Sequence, residues 1–223
     1  MRKSLARKIF WNIKGYIKSM LFINSLYFFK TFEIIREHKL EKEFNTETAE
    51  PYFFLDGFST LGDGASYSAS SYGILKKIIN YLNIKPEDVF IDLGCGKGRV
   101  VFFFSRQKLK KSIGVDSNQE LIDIAKKNLA NFKLNNSPIE FLNSDAANLQ
   151  FKEETIFFMF NPFGAKTMRA VLRNIEDSLA INPRSIHIIY YIPAHKHILN
   201  DQDWLVLEKN IDKGNCLIWR NKI

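Results

Sequence analysis

Three carboxylates that stand where apolar runs stop are the residues best placed to do chemistry. Val89-Phe-Ile-Asp92 is rich in β-branched and aromatic residues and ends on an acid, after which glycine recurs at every second position: Gly94, Gly96 and Gly98. Lys111-Ser-Ile-Gly-Val-Asp116 ends in the same way, and Ile139-Glu-Phe-Leu-Asn-Ser-Asp145-Ala146 runs into a third acid beside a small residue. Glycine accepts positive φ and carries no Cβ, so such a loop lets a flat ligand lie against main-chain N–H groups at a helix N-terminus. The interval from Asp92 to Asp116 is close to the spacing of roughly 20 residues at which a ribose-binding acid follows a glycine loop. These residue types point to a nucleoside-bearing cofactor.

The elements that must position these residues follow from periodicity. Apolar runs end at Asp92, Asp116 and Asp145, and a fourth, Thr155-Ile-Phe-Phe-Met-Phe160, ends in Asn161-Pro162-Phe163; each is bounded as a strand is. Helical patterns fill the intervals: Ile74 to Leu82, Val100 to Lys110, Ser117 to Leu134 and Ala165 to Ile181. Arg184 to Ile192 reads as a fifth strand, and Trp204 to Glu208 and Asp212 to Trp219 as two more around a Gly-Asn turn. The alternation predicts a three-layer α/β/α fold with a mostly parallel seven-stranded sheet and an antiparallel C-terminal hairpin. The expected domains are a helical extension over 1–45 and one cofactor-binding domain over 46–223.

Spacing narrows the cofactor. The dinucleotide fingerprint needs a third small residue for close helix packing, and that position is Arg99. The pattern Asp92-x-Gly94-x-Gly96-x-Gly98 resembles motif I of the class I S-adenosylmethionine-dependent methyltransferases, over residues 67 to 192. The resemblance implies S-adenosyl-L-methionine as cofactor and S-adenosyl-L-homocysteine as product. It implies binding by Asp92, Gly94, Cys95, Gly96, Gly98, Asp116, Ser117, Asp145 and Ala146, with loop amides for the cofactor's carboxylate and Asp92 for its ammonium. In that family the acid at Asp145 meets the adenine amino group. The Gly-Lys-Gly-Arg-Val-Val form of the motif, with the loop Tyr67-Ser-Ala-Ser-Ser71-Tyr72, is also similar to the non-SET seven-strand lysine methyltransferases, which implies that Tyr67 and Ser71 close over the cofactor. Ordinary capping and packing is the other reading of that loop.

Asn161-Pro162-Phe163 stands where amino-methylating members carry Asn/Asp-Pro-Pro-Tyr/Phe, so the resemblance implies these three as the catalytic residues. A carboxamide oxygen and the Pro162 carbonyl can accept both N–H bonds of an amine, and an aromatic face suits the cation that forms. The second proline is absent, and strand termination is the alternative role of Asn-Pro. The function expected is methyl transfer to an amine nitrogen of a protein side chain or small molecule. The alternative is a non-catalytic S-adenosylmethionine-binding scaffold.

Charge separates the ends of the chain. The net charge is +8, yet residues 1–30 hold seven Lys and Arg and no acid, leaving the rest nearly neutral. A protein that tracks a phosphate backbone would spread its cations over the docking face, so nucleic acid is not the expected partner. At helical spacing Leu5, Ile9, Phe10, Ile13, Tyr16, Ile17, Met20 and Leu21 share an arc beside Lys3, Arg7, Lys14 and Lys18. That basic amphipathic helix would lie on an anionic membrane, dock on a partner or cover its own domain. Its uncharged stretch is too short to span a bilayer. Two cysteines with no disulfide framework fit a reducing compartment, hence a cytoplasmic location, peripheral to membrane if the arm binds lipid. His195 and His197 lack companions at ligand spacing, so no metal site is expected.

Overall fold

The computed structural model describes residues 35–49 and 68–222. The basic arm over 1–30 and Tyr67 lie outside them. The chain divides into two compact units, Met1–Leu40 and Glu41–Ile223. Helix α1 occupies 35–44. It is followed by α2 (Tyr72–Tyr81), β1 (Val89–Leu93), α3 (Arg99–Ser105), β2 (Lys111–Asp116), α4 (Gln119–Asn131), β3 (Ile139–Asn143), β4 (Ile156–Phe160), α5 (Ala165–Ile181), β5 (His187–Tyr191), α6 (Lys196–Asn200), β6 (Leu205–Ile211) and β7 (Cys216–Asn221).

The seven strands form one sheet in the order β3-β2-β1-β4-β5-β7-β6. The first five run parallel, and β7 lies antiparallel to both β5 and β6. Strand β1 is buried along its whole length and β4 up to its last residue, Phe160, as expected of central parallel strands covered on both faces. On one face α5 sets Met168, Val171, Leu172 and Ile175 into the core at helical spacing, with Leu93, Phe157, Met159 and Ile188 from the sheet. Each such side chain contributes about 1.5–3 kcal/mol by leaving water. On the other face Phe104 of α3 stacks on Phe90 at 4.0 Å.

Most boundaries fall within a turn of those read from periodicity, but α3 stops at Ser105 where the pattern runs to Lys110. The Ser105 carbonyl accepts from Asn136 N–H (2.7 Å) and Ser137 N–H (3.1 Å), and Lys110 N–H turns to Asp88 O (2.9 Å) to start β2 beside β1. Tertiary pairing takes the groups the next helical turn would use. The final hairpin also differs: its turn is Asp212-Lys213-Gly214-Asn215, and the strands extend to Ile211 and from Cys216. Asp212, Lys213 and Gly214 all have positive φ there.

Strand order reverses between β1 and β4, because the chain leaves β3 at one edge and returns on the far side of β1. In open parallel sheets that reversal opens a crevice at the carboxyl ends of the two strands. Asp92 and Asn161 stand at those two ends.

Candidate active site

The glycine loop is shaped by its own hydrogen bonds. Gly94 N–H and Cys95 N–H both donate to Val115 O (2.8 and 2.9 Å), Gly98 N–H donates to Cys95 O (2.9 Å), and Gly96 N–H donates to Asp116 Oδ2 (2.9 Å). These four amides were expected to receive a ligand carboxylate. They are satisfied within the chain, which corrects that expectation: pairing to β2 sets the curve of the loop and uses its donors. Gly98, at φ +88, leaves no room for a Cβ because the Phe141 ring would lie 2.6 Å away, so its role is to let β3 pack under the loop.

Gly94 brings the two halves of the site together. It has φ +84, and a Cβ there would lie 2.4 Å from the Pro162 Cβ. The missing side chain lets the turn after β4 rest directly on the glycine loop. Asn161, in the left-handed region at φ 42, precedes Pro162 in that turn.

The acids differ in environment. Asp92 is 2% exposed, and among the described residues no hydrogen-bond donor reaches its carboxylate. Burial first, and then the charge of Asp116, push its carboxyl well above the usual carboxylate range. Burial also raises the Cys95 thiol. Asp116 is half-buried and fixed: besides Gly96, its Oδ1 accepts from Asn118 N–H (2.9 Å), which leaves each oxygen a lone pair for a ligand. Asn143 Nδ2 ties the ends of β2 and β3 by donating to Asp116 O and Ser117 O, both at 3.1 Å. Asp145 is exposed, caps a short 3₁₀ turn through Ala147 N–H (2.9 Å), and has Ala146 buried beside it.

At the end of β4 the Asn161 Oδ1 accepts from the Tyr190 hydroxyl (3.1 Å), whose oxygen in turn accepts from His195 N–H at 3.4 Å. The carboxamide is therefore held from behind by β5. Phe163 does not face the crevice: it is 8% exposed and belongs to the core around α5. Phe160 takes the open position, packed against Tyr191 with ring centroids 4.6 Å apart and lining the pocket beside Asp92. The ring that lines this pocket is thus Phe160, three residues before Phe163. Strand alternation explains the difference, since the residue after Pro162 turns into the core to start α5.

Ser68, Ala69 and Ser70 close the pocket over Asp92, Gly94 and Cys95. Ser71 itself is a helix cap, accepting from Ile74 N–H at 3.3 Å, and Tyr72 is buried. Arg99 forms another wall and was missed as a site residue, although an arginine opening the otherwise apolar helix Arg-Val-Val-Phe-Phe-Phe demands a buried partner. That partner is Glu41, with Arg99 Nη2 at 3.2 Å from its Oε1.

The profile of the methyltransferase domain family matches residues 90–204. The chain belongs to that family, the class I S-adenosylmethionine-dependent methyltransferases. A histone-lysine N-methyltransferase of Caenorhabditis elegans, specific for lysine 79 of histone H3, is 34% identical over 140 residues, 54% of this chain and 15% of that protein. A cobalt-precorrin-6B C(15)-methyltransferase, described as probable, from Methanobrevibacter smithii is 25% identical over 149 residues, covering 64% of this chain and 79% of the relative. The methyltransferase thus spans only a small part of the histone-modifying relative. Among solved structures, a putative S-adenosyl-L-methionine-dependent methyltransferase of Methanococcus maripaludis superposes with a TM-score of 0.52 at 16% identity over 67% of this chain and 83% of that one. That likeness shows the same fold.

The charge of the site suits the family's cofactor. Asp92, a buried carboxylate that no donor among the described residues reaches, suits a cation such as an α-ammonium, and Asp116 and Asp145 present acceptors along the neighbouring strand ends.

Proposed function

We propose that this methyltransferase transfers a methyl group to an amine nitrogen of a protein side chain or small molecule. The observation that supports the proposal is the close approach of Gly94 to Pro162, which brings the turn carrying Asn161 onto the glycine loop. Asp92, Asp116, Ser117, Asp145 and Ala146 hold the cofactor in this reading, Gly94, Cys95 and Gly96 shape the loop it lies on, and Gly98 acts by packing. S-adenosylmethionine, when bound, supplies an electrophilic methyl group on sulfur.

The chain's own residues then align and desolvate. Asn161 Oδ1 keeps one lone pair beyond its bond from Tyr190, and the Pro162 carbonyl offers a second acceptor, so an amine donating to both aims its nitrogen lone pair into the crevice. Phe160 and Tyr191 give apolar walls that exclude water and an aromatic face for the developing cation. Relatives named for a histone lysine and for a corrin precursor carbon bracket the acceptor chemistry, and the neutral hydrogen-bonding pair at Asn161 and Pro162 favours nitrogen.

The test is incubation of cell extracts with isotopically labelled S-adenosylmethionine, followed by mass spectrometry, alongside calorimetry with S-adenosylhomocysteine. Label on an amine nitrogen, lost with Asn161→Ala while that variant keeps its affinity for S-adenosylhomocysteine, supports the reading. A methylated oxygen or carbon refutes it.

A further inference from the structure

Arg99 ties the end of α1 and the segment after it to the pocket wall. Arg99 is 6% exposed, and its guanidinium donates in three directions: Nε to Thr48 Oγ1 (2.8 Å), Nη1 to Ser70 O (3.1 Å) and Nη2 toward Glu41 (3.2 Å). Its Cζ also lies 4.8 Å from the centre of the Tyr72 ring. Glu41 gathers the same elements from the other side, accepting from Thr48 N–H (2.6 Å), from the Thr48 hydroxyl and from the Tyr72 hydroxyl (2.8 Å). Asn128 of α4 completes the attachment, accepting from Glu47 N–H (3.0 Å) and donating to Lys97 O (3.2 Å) inside the glycine loop.

Three features set this network apart from routine core packing. Arg99 is the first residue of α3, where the helix dipole disfavours a cation. A buried ion pair is an expensive way to join segments, since apolar side chains of equal volume often do so as well or better. What the guanidinium adds is a fixed fork of donors that holds groups in defined directions. One of those groups, the Ser70 carbonyl, belongs to the pocket wall, and the others belong to the strap formed by residues 41–48.

We infer that Arg99 and Glu41 are positioning residues that make the strap and the cofactor-pocket wall one cooperative element, so that cofactor binding and strap docking strengthen each other. The inference rests on reading this pocket as the cofactor site. Reciprocity follows from linkage: if a docked strap holds Ser68–Ser70 over the pocket, an occupied pocket must hold the strap to the same degree.

The experiment uses the full chain with S-adenosylhomocysteine as probe, read by calorimetry and amide hydrogen exchange. Glu41→Gln and Arg99→Lys are expected to weaken binding by roughly 5- to 150-fold, the usual span of coupling between sites. Glu43→Gln, which breaks the outer pair with Arg106 on the same strap, should leave affinity within about twofold of wild type. In the wild type, the probe should slow exchange at the Glu47 and Thr48 amides. Unchanged affinity in both inner variants, with only a lower melting temperature, overturns the inference, as does unchanged exchange at Glu47 and Thr48. The exchange readout stands if the variants fail to fold. A wild type that does not bind the probe removes the cofactor reading and this inference with it.

Discussion

Replacing Gly94 by alanine tests how the site is assembled. Two costs can be worked from the structure. At φ +84 an L-residue sits in the left-handed region, which costs about 1–2 kcal/mol. The new Cβ would then meet the Pro162 Cβ at 2.4 Å, more than 1 Å inside ordinary carbon contact of about 3.5–4.0 Å, and overpacking of that kind costs about 1–3 kcal/mol. Together the change should remove about 2–5 kcal/mol from a domain whose total stability is on the order of 5–15 kcal/mol. The clash is relieved most readily by moving the turn that carries Asn161 and Pro162, and a displacement near 1 Å at a reacting centre costs roughly 100-fold in rate. Urea denaturation gives the stability term, calorimetry with S-adenosylhomocysteine the affinity, and turnover of labelled cofactor in extract the alignment term. A Gly94→Ala protein with wild-type midpoint, affinity and turnover would refute the reasoning, because the close approach would then have no energetic content.

Other predictions concern the acids and the arm. Asp116→Ala removes a charged acceptor worth about 1.5–3 kcal/mol and frees the N–H groups of Gly96 and Asn118, so calorimetry should report S-adenosylhomocysteine bound at least roughly tenfold more weakly. Asp92, held above the usual carboxylate range by burial and Asp116, should lose its proton when a ligand ammonium arrives. Affinity should therefore rise with pH through the titration of the empty site, with a buffer-dependent binding enthalpy that Asp92→Asn abolishes; an affinity that falls with pH contradicts this. The same raised value means the folded chain binds more protons than the unfolded one, so the stability due to Asp92 is full below the unfolded carboxylate range and is lost as pH rises through the folded value. Denaturation midpoints of wild type and Asp92→Asn across that range check the sign. Deleting residues 1–30 should leave S-adenosylhomocysteine binding intact while abolishing salt-sensitive sedimentation with anionic vesicles, each basic residue near such a surface being worth about 1 kcal/mol. Loss of cofactor binding on deletion would instead assign the arm to the domain itself.

The sequence by itself determined the ladder of strand ends. Asp92, Asp116 and Asp145 announce themselves because an apolar run must stop where backbone leaves the sheet, and glycine spacing with Arg99 in the third small-residue position separates one cofactor class from another. Such signals are local: period, terminator and φ preference act over a few neighbouring residues. Tertiary structure alone decided which groups meet. Gly94 lies against Pro162, 68 positions away in the chain, only because strand order reverses between β1 and β4. The four loop amides that sequence offers to a ligand are taken by Val115, Cys95 and Asp116, since hydrogen-bond partners are assigned by the neighbouring strand and by the curve of the loop. Phe163 is in the core and Phe160 lines the pocket because alternation along β4 and the turn into α5 set which ring points inward. Glu41 carries no motif at all: its meaning comes from Arg99, and a buried cation selects its counter-ion by distance in space, a quantity that no local pattern of residues records.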